Sequence, residues 1–264
     1  LSSIAYHKAG IMSKNGYSFA LWGESETNEV LQDTAYARNN RLSWIKPVKS
    51  YDGISLTAGK TIFNYHSDNL NYTNLELSLL GEHQVRNACL ALKALEHIAA
   101  RDGWKVDEHK IRKALLEMHN FIGGRIEHRE IDQHDCYFDV AHNEQKTKAL
   151  VHTLQTIHPK QKFTFIIGFK ETKDFEKIID ILVPIAKRFI ITAFVKESVG
   201  VPFSATKTQS IATYLASTYP QVTHTTSSSA AQAFAHALTE KEPIVVTGSF
   251  YLLSEILQNP KQLS

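Results

Sequence analysis

Three stretches in the second half of the chain, FTFIIGF (163–169), RFIITAF (188–194) and PIVVTGSF (243–250), are unbroken runs of β-branched, aromatic and other apolar residues. A strand with one face in water alternates apolar and polar residues, whereas a run without alternation is covered on both faces. Around these runs the periodicity predicts further strands at 125–131, 135–140 and 221–225, and helices at 144–157, 174–187, 206–218, 227–239 and 250–258. The stretch THTTSSSAAQ (223–232) is a polar lead-in to one of these helices. Strands alternating with helices imply crossover connections, hence a mostly parallel sheet in an open α/β domain.

The first half has another rhythm. YSFALWG (17–23) predicts a short strand and NEVLQDTAYARNN (28–40) a polar helix, and residues 51–80 alternate around turn residues as hairpins do. In 81–103, Val85, Ala88, Cys89, Leu92, Leu95, Ile98 and Ala99 recur at helical spacing until Gly103 stops the run. Asp107 is placed to cap a second helix. Gly123-Gly124 offers hinge freedom and is the natural boundary, so the chain is expected to divide into residues 1–124 and 125–264.

The 264 residues carry a net charge of +2, too little to imply a polyelectrolyte partner such as nucleic acid. Two distant cysteines argue against a disulfide framework and a zinc site, and fit a reducing, cytoplasmic setting. No run is apolar and long enough to span a bilayer.

In YFDVAHNEQ (137–145), a buried-looking strand ends in Asp139, with His142 and Asn143 in the loop that follows. Ligands of open parallel sheets gather at the carboxyl ends of strands, although an isolated Asp-x-x-His-Asn reads first as a helix N-cap. GISLTAGKT (53–61) ends like a phosphate-binding loop, but Ile54 stands where that loop needs glycine. IFNYHSD also continues as a strand rather than opening a helix, so the stretch is a hairpin turn.

Four stretches taken in order carry more: IAYHKAGI (4–11), GEHQVRNACLALKALE (81–96), GGRIE with DVAHN (123–127 and 139–143), and VTGSFYLLSEI (246–256). They resemble the folylpolyglutamate synthases, with or without dihydrofolate synthase activity, of the Mur ligase superfamily. Members of that family read I-A-x-E-K-A-G-I, G-x-H-Q-x-x-N-A, P-G-R, D-x-A-H-N-P and G-S-F-Y at these places. KETKDF (170–175) echoes a further D-K-D segment. The resemblance implies the tail of a Mur-ligase-type central ATP-binding domain, incomplete in residues 1–124, followed by a complete smaller α/β domain.

The implied reaction joins L-glutamate to folate or dihydropteroate. ATP phosphorylates the carboxylate, and the glutamate amine attacks the acyl phosphate. ATP and magnesium are the implied cofactors, and a second, monovalent cation is compatible with them. The partners would be small molecules, without nucleic acid or membrane, and the enzyme a cytoplasmic monomer.

Residue by residue, Lys8 matches a lysine carbamylated near magnesium, although His7 replaces the family glutamate before it. Asn87 matches an adenine contact, and an amide offers the donor and acceptor that an adenine edge needs. Arg125 matches an arginine that reaches the ATP phosphates, with Ile122 or Gly123 where the family has proline. Asp139 and His142 match a strand-end pair facing the nucleotide, followed by Glu144 in place of proline. Ser249 matches a contact for glutamate or the reacting groups, with Phe250 and Tyr251 beside it as core or cleft wall. Arg125→Ala and Asp139→Ala are each expected to lower turnover and leave the fold intact.

The family's phosphate-binding loop and magnesium ligands belong to a segment that precedes the motif around Lys8, and these residues contain neither. The 264 residues alone are therefore expected to be inactive. Two other readings fit: a non-catalytic nucleotide-binding or interaction module built on this fold, and a muropeptide ligase. EHQVRN and GSFY favour folate over the latter.

Overall fold

The computed structural model describes residues 2–120, 122–194 and 205–257. The chain divides into two compact units, one of residues 1–55, 60–78 and 82–118, the other of 56–59, 79–81 and 119–264.

The first unit begins with helix α1 (Ser2–Ala9), strand β1 (Tyr17–Leu21), helix α2 (Ser25–Ala37) and strand β2 (Arg41–Ile45). Strands β1 and β2 pair in parallel. Ala9, Met12 and Ala35 form a small core with Leu31 and Leu42. Neither α1 nor β2 is predicted from the sequence, and α2 starts at Ser25 rather than at 28.

Strands β3 (Tyr51–Leu56), β4 (Thr61–His66) and β5 (Asn71–Leu77) form a three-stranded sheet. Gly59-Lys60-Thr61 is the hairpin turn expected of it: Thr61 opens β4, and Lys60 pairs with Glu76 on β5 at 2.8 Å. Helix α3 (Glu82–Asp102) stops before Gly103, whose φ of +75° suits glycine. Asp107 caps α4 (Glu108–Leu116) by accepting the amide N–H of Lys110.

The buried face of α3 differs from its apolar stripe. Ile98 is exposed, while the carboxylate of Glu96 is buried. Glu96 Oε1 accepts from Ser67 Oγ (2.9 Å) and Asn69 Nδ2 (2.8 Å), and Oε2 accepts from Tyr65 OH (3.3 Å) and faces Lys93 Nζ at 3.3 Å. A buried charge is tolerated when it is paired and fully hydrogen-bonded, and hydropathy alone gives no sign of such a network.

The second unit is the α/β domain. Its strands are β6 (Arg125–Ile131), β7 (His134–Asp139), β8 (Phe163–Ile167), β9 (Ala186–Thr192), β10 (Thr223–Ser227) and β11 (Ile244–Thr247). They form one sheet in the order β10-β9-β8-β11-β7-β6, in which only the β6–β7 hairpin is antiparallel. The helices are α5 (Glu144–Ile157), α6 (Phe175–Leu182), α7 (Thr208–Thr218), α8 (Ala230–Ala237) and α9 (Phe250–Leu257).

Successive strand residues enter opposite cores, as a two-residue period dictates. Phe163, Phe165, Ile167, Phe189, Ile191 and Val245 pack with α5, α6 and α7 through Leu154, Ile179 and Leu215. Ile166, Ile190, Ile244 and Val246 pack on the other face with α8 and α9 through Phe234 and Leu252. The unbroken apolar strands are thus covered on both sides.

Helix α6 ends at Leu182, earlier than the expected 187, and a single 3₁₀ turn, Val183–Ile185, leads into β9. Pro184 explains this, because its ring clashes with the carbonyl four residues back and it has no N–H to donate. Phe250, expected in the core or a cleft wall, is 63% exposed. No helix among the described residues is long and apolar enough to cross a membrane.

Candidate functional site

Strand β7 delivers Asp139 to its carboxyl end, and the antiparallel hairpin returns Arg125, the first residue of β6, to the position opposite it. The ladder is irregular here, with a bulge between Arg125 and Glu127. The bulged residue, Ile126, has a φ of +53°, rare and costly for a β-branched side chain. Asp139 holds the distortion. Its Oδ2 accepts the Ile126 amide N–H at 2.9 Å and its Oδ1 accepts that of Ala141 at 2.7 Å.

The double glycine is not free at this point. Gly124 sits at φ +67°, its N–H donates to Glu127 Oε2 (3.0 Å), and its carbonyl accepts from the Val140 amide (3.1 Å). A Cβ on Gly124 would come within 2.9 Å of Leu253 Cδ2. The glycine therefore serves a fixed left-handed turn rather than a hinge.

The same hydrogen bonds correct the expectation that Asp139→Ala would leave the fold intact. Truncating the side chain strands two buried amide donors, at roughly 1–3 kcal/mol each, and removes the clamp on Ile126. Burial pushes the Asp139 carboxyl up to about 6, while the two amide bonds and the charges of Arg125 and Lys146 oppose the rise. A carboxyl whose folded value lies above its unfolded one of 3.8 adds stability below that value and loses it as pH climbs through about 6. The stability difference between wild type and Asp139→Asn should therefore shrink as pH is raised from about 4 to about 7. Urea unfolding measures it, and a difference that widens with pH would contradict the assignment.

Asn143 caps α5 through the Lys146 amide, and Glu144 occupies the first turn. His142 lies in the loop between Asp139 and that helix. Its Nδ1 donates to the Val140 carbonyl at 2.8 Å, and Nε2 lies 3.4 Å from Lys146 Nζ. Burial, then the charges of Lys146, Lys173 and Arg125, lower the His142 pKa, against the opposing effect of the Val140 bond. Burial and Arg125 likewise lower that of Lys146, with Asp139 opposing.

Arg125 and Lys173 thus both act on Lys146, and all three cations act on His142, at one end of the sheet. None has an ion pair of its own among the described residues. The nearby carboxylates of Glu144 and Asp174 turn instead to Lys177, at 3.8 and 3.0 Å. Cations gathered at strand ends, with the carboxylate of Asp139 acting on Arg125 and Lys146, have the charge to attract an anion.

The end of β11 closes the neighbourhood. Thr247 Oγ1 reaches the Ala141 carbonyl at 3.4 Å, and Ser249, itself buried, accepts the Tyr251 amide N–H on Oγ at 3.1 Å. The Ser249 hydroxyl is thereby engaged as a turn at the start of α9. Lys170 Nζ lies 4.7 Å above the Tyr251 ring.

Arg125, Asp139, His142 and Ser249 therefore all belong to the α/β unit. Lys8 and Asn87 belong to the other unit. Lys8 is exposed near the end of α1, and exposed Asn87 donates to Gln84 Oε1 at 3.2 Å within α3. Lys146 and Lys173 escape the sequence reading, since a lysine near a helix start passes for a solvated face. The signal for Lys146 was its place in the first turn of the helix that follows His142, within reach of the imidazole at 3.4 Å. No group of three or more His, Cys, Asp or Glu side chains among the described residues could hold a metal ion.

Over 262 residues the chain is 25% identical to folylpolyglutamate synthase of Lacticaseibacillus casei, covering 98% of this chain and 57% of the relative. The crystal structure of folylpolyglutamate synthase from Thermotoga maritima superposes with a TM-score of 0.77 at 25% identity, over 99% of this chain and 58% of that one. The Mycobacterium tuberculosis enzyme complexed with ADP gives a TM-score of 0.79 at 21% identity, over 98% and 58% of the two chains, a likeness of fold. The chain thus spans less than two thirds of the length of these relatives. Residues 125–259, which contain the strand-end cluster, match the family model of the dihydrofolate synthetase C-terminal domain, and the chain belongs to that family.

Proposed function

We propose that this chain is part of an ATP-dependent amide-forming ligase that adds L-glutamate to tetrahydrofolate or dihydropteroate, working as a cytoplasmic monomer on small molecules only. The observation that carries the reading is the group of three cations without ion pairs, Arg125, Lys146 and Lys173, gathered around His142 and Asp139 at the strand ends of a domain of this family. Named relatives are folylpolyglutamate synthases, and one solved relative is complexed with ADP.

In the reaction, the substrate carboxylate oxygen attacks the γ-phosphorus of ATP and ADP leaves. The glutamate nitrogen then attacks the acyl carbon, losing a proton as phosphate departs. Both steps move negative charge over phosphate oxygens, so fixed cations lower the barrier without themselves reacting. Arg125 suits this role by its permanent charge and two-pronged geometry. Asp139 fixes the loop that carries His142 and leads into α5, which carries Lys146, and Ser249 orders a turn at the start of α9.

Magnesium, with a monovalent cation if one is used, would neutralise the polyphosphate. The described residues do not form its ligand set; Lys8, as a carbamate, would lie near the magnesium, and no step is assigned to it. Asn87 is proposed as the adenine contact.

The test is ADP release by the full-length protein. Release should require folate or dihydropteroate together with glutamate, and the two substrate arms distinguish the two activities. Binding of nucleotide without dependence on either pair would favour a non-catalytic module.

A further inference from the structure

We propose that Lys146, rather than His142, makes the direct contact from this loop to the nucleotide's polyphosphate, and that His142 acts as the residue that positions it. The inference rests on the nucleotide-site reading above and deepens it by assigning which side chain meets the anion.

The argument starts from the proton count on the imidazole. Nδ1 of His142 is 2.8 Å from the Val140 carbonyl, an atom that can only accept, so Nδ1 carries a hydrogen. In the neutral ring Nε2 is then a bare lone pair and cannot donate to a phosphate oxygen. To do so it would need a second proton, among Arg125, Lys146 and Lys173. Among the described residues, the group that the lone pair can serve is an N–H of the Lys146 ammonium, at 3.4 Å in the first turn of α5.

His142 thus spends one nitrogen on the loop backbone and offers the other to Lys146. An ammonium has three hydrogens. With one directed to His142, two remain for an incoming anion. Lys146 also has no carboxylate partner of its own among the described residues, whereas neighbouring Glu144 and Asp174 are taken by Lys177. Asp139, which attracts Lys146 through space, has both oxygens on backbone amides. The lysine is therefore oriented by His142 and has no carboxylate of its own among the described residues.

Equilibrium dialysis of the full-length protein with ADP and, separately, with adenosine tests the assignment. Lys146→Met, which keeps the aliphatic stem, should weaken ADP binding about tenfold or more, the range for one charge-assisted contact. Adenosine binding should change less than about twofold, which also shows that the variant is folded. Lys146→Arg should recover most of the ADP affinity. His142→Ala should weaken ADP binding in the wild-type background and add nothing in the Lys146→Met background, because its effect passes through the lysine.

Two results would overturn the proposal. One is Lys146→Met binding ADP within about twofold of wild type. The other is His142→Ala costing its full factor even when Lys146 is already methionine, which would make the imidazole the contact. Failure of the wild-type protein to bind ADP is a different result: it defeats the nucleotide-site reading and this inference with it.

Discussion

Gly248→Ala is expected to destabilise the α/β unit by about 3 kcal/mol or more. Gly248 follows β11 at φ +108°, a conformation that a side chain strains on its own account. A Cβ there would also lie 2.7 Å from the Gly168 carbonyl oxygen, 2.7 Å from Phe169 Cε1 and 2.9 Å from Phe169 Cδ1. The carbonyl cannot simply withdraw. Gly168 is itself wedged, since a Cβ on it would meet the Thr192 carbonyl oxygen at 2.7 Å. The ends of β8, β9 and β11 are thus packed backbone to backbone, and relief at one displaces the next.

Gly124→Ala provides the comparison. Its φ is also positive, but the atoms met are side-chain ends, Leu253 Cδ2 at 2.9 Å and Val140 Cγ1 at 3.1 Å, which can shift by rotation. Urea unfolding should rank Gly248→Ala as clearly the more damaging. Equal costs would mean that the strand ends yield more easily than their contacts imply.

Arg125→Ala in the full-length protein is expected to lower kcat on the order of a hundredfold, the scale for losing one fixed charge at a transferring phosphoryl group. Its stability should change little. Arg125 is only partly buried and makes no ion pair among the described residues, and Asp139 opposite it keeps both amide partners when the guanidinium is gone. Arg125→Lys should restore part of the rate, since lysine supplies charge but not a two-pronged donor. Near-normal kcat with a normal KM for ATP in Arg125→Ala would remove the residue from the site.

Much of the α/β unit is legible in sequence because β8, β9 and β11 are buried on both faces and α5, α6 and α8 carry side-chain caps. Helix α5 occupies residues 144–157 as the spacing indicates, with Asn143 as its cap. Strand β10, THTTS, lies at the sheet edge and shows no apolar run, so its expected limits of 221–225 fall two residues before the observed 223–227. Helix α1 and strand β2 have little apolar patterning to betray them, with few buried side chains between them.

The site divides the same way. Asp139, His142 and Ser249 are visible as polar residues where apolar strands stop. The service of Asp139 to two backbone amides is not visible, because it depends on a bulge that no side-chain pattern encodes. Lys146 and Lys173 acquire meaning only when the strand ends bring them beside Arg125.

The two cysteines have a use that no disulfide could give them. Cys89 lies in the first unit and Cys136 in the second; both are fully buried, and burial pushes both thiols up to about 12. The thiolate is the reactive form, so neither sulfur can be alkylated until the structure around it opens. Each compact unit therefore carries one internal clock. The rate at which a thiol reagent modifies Cys89 or Cys136 reports the opening of that unit separately from its neighbour, with no label introduced into either core.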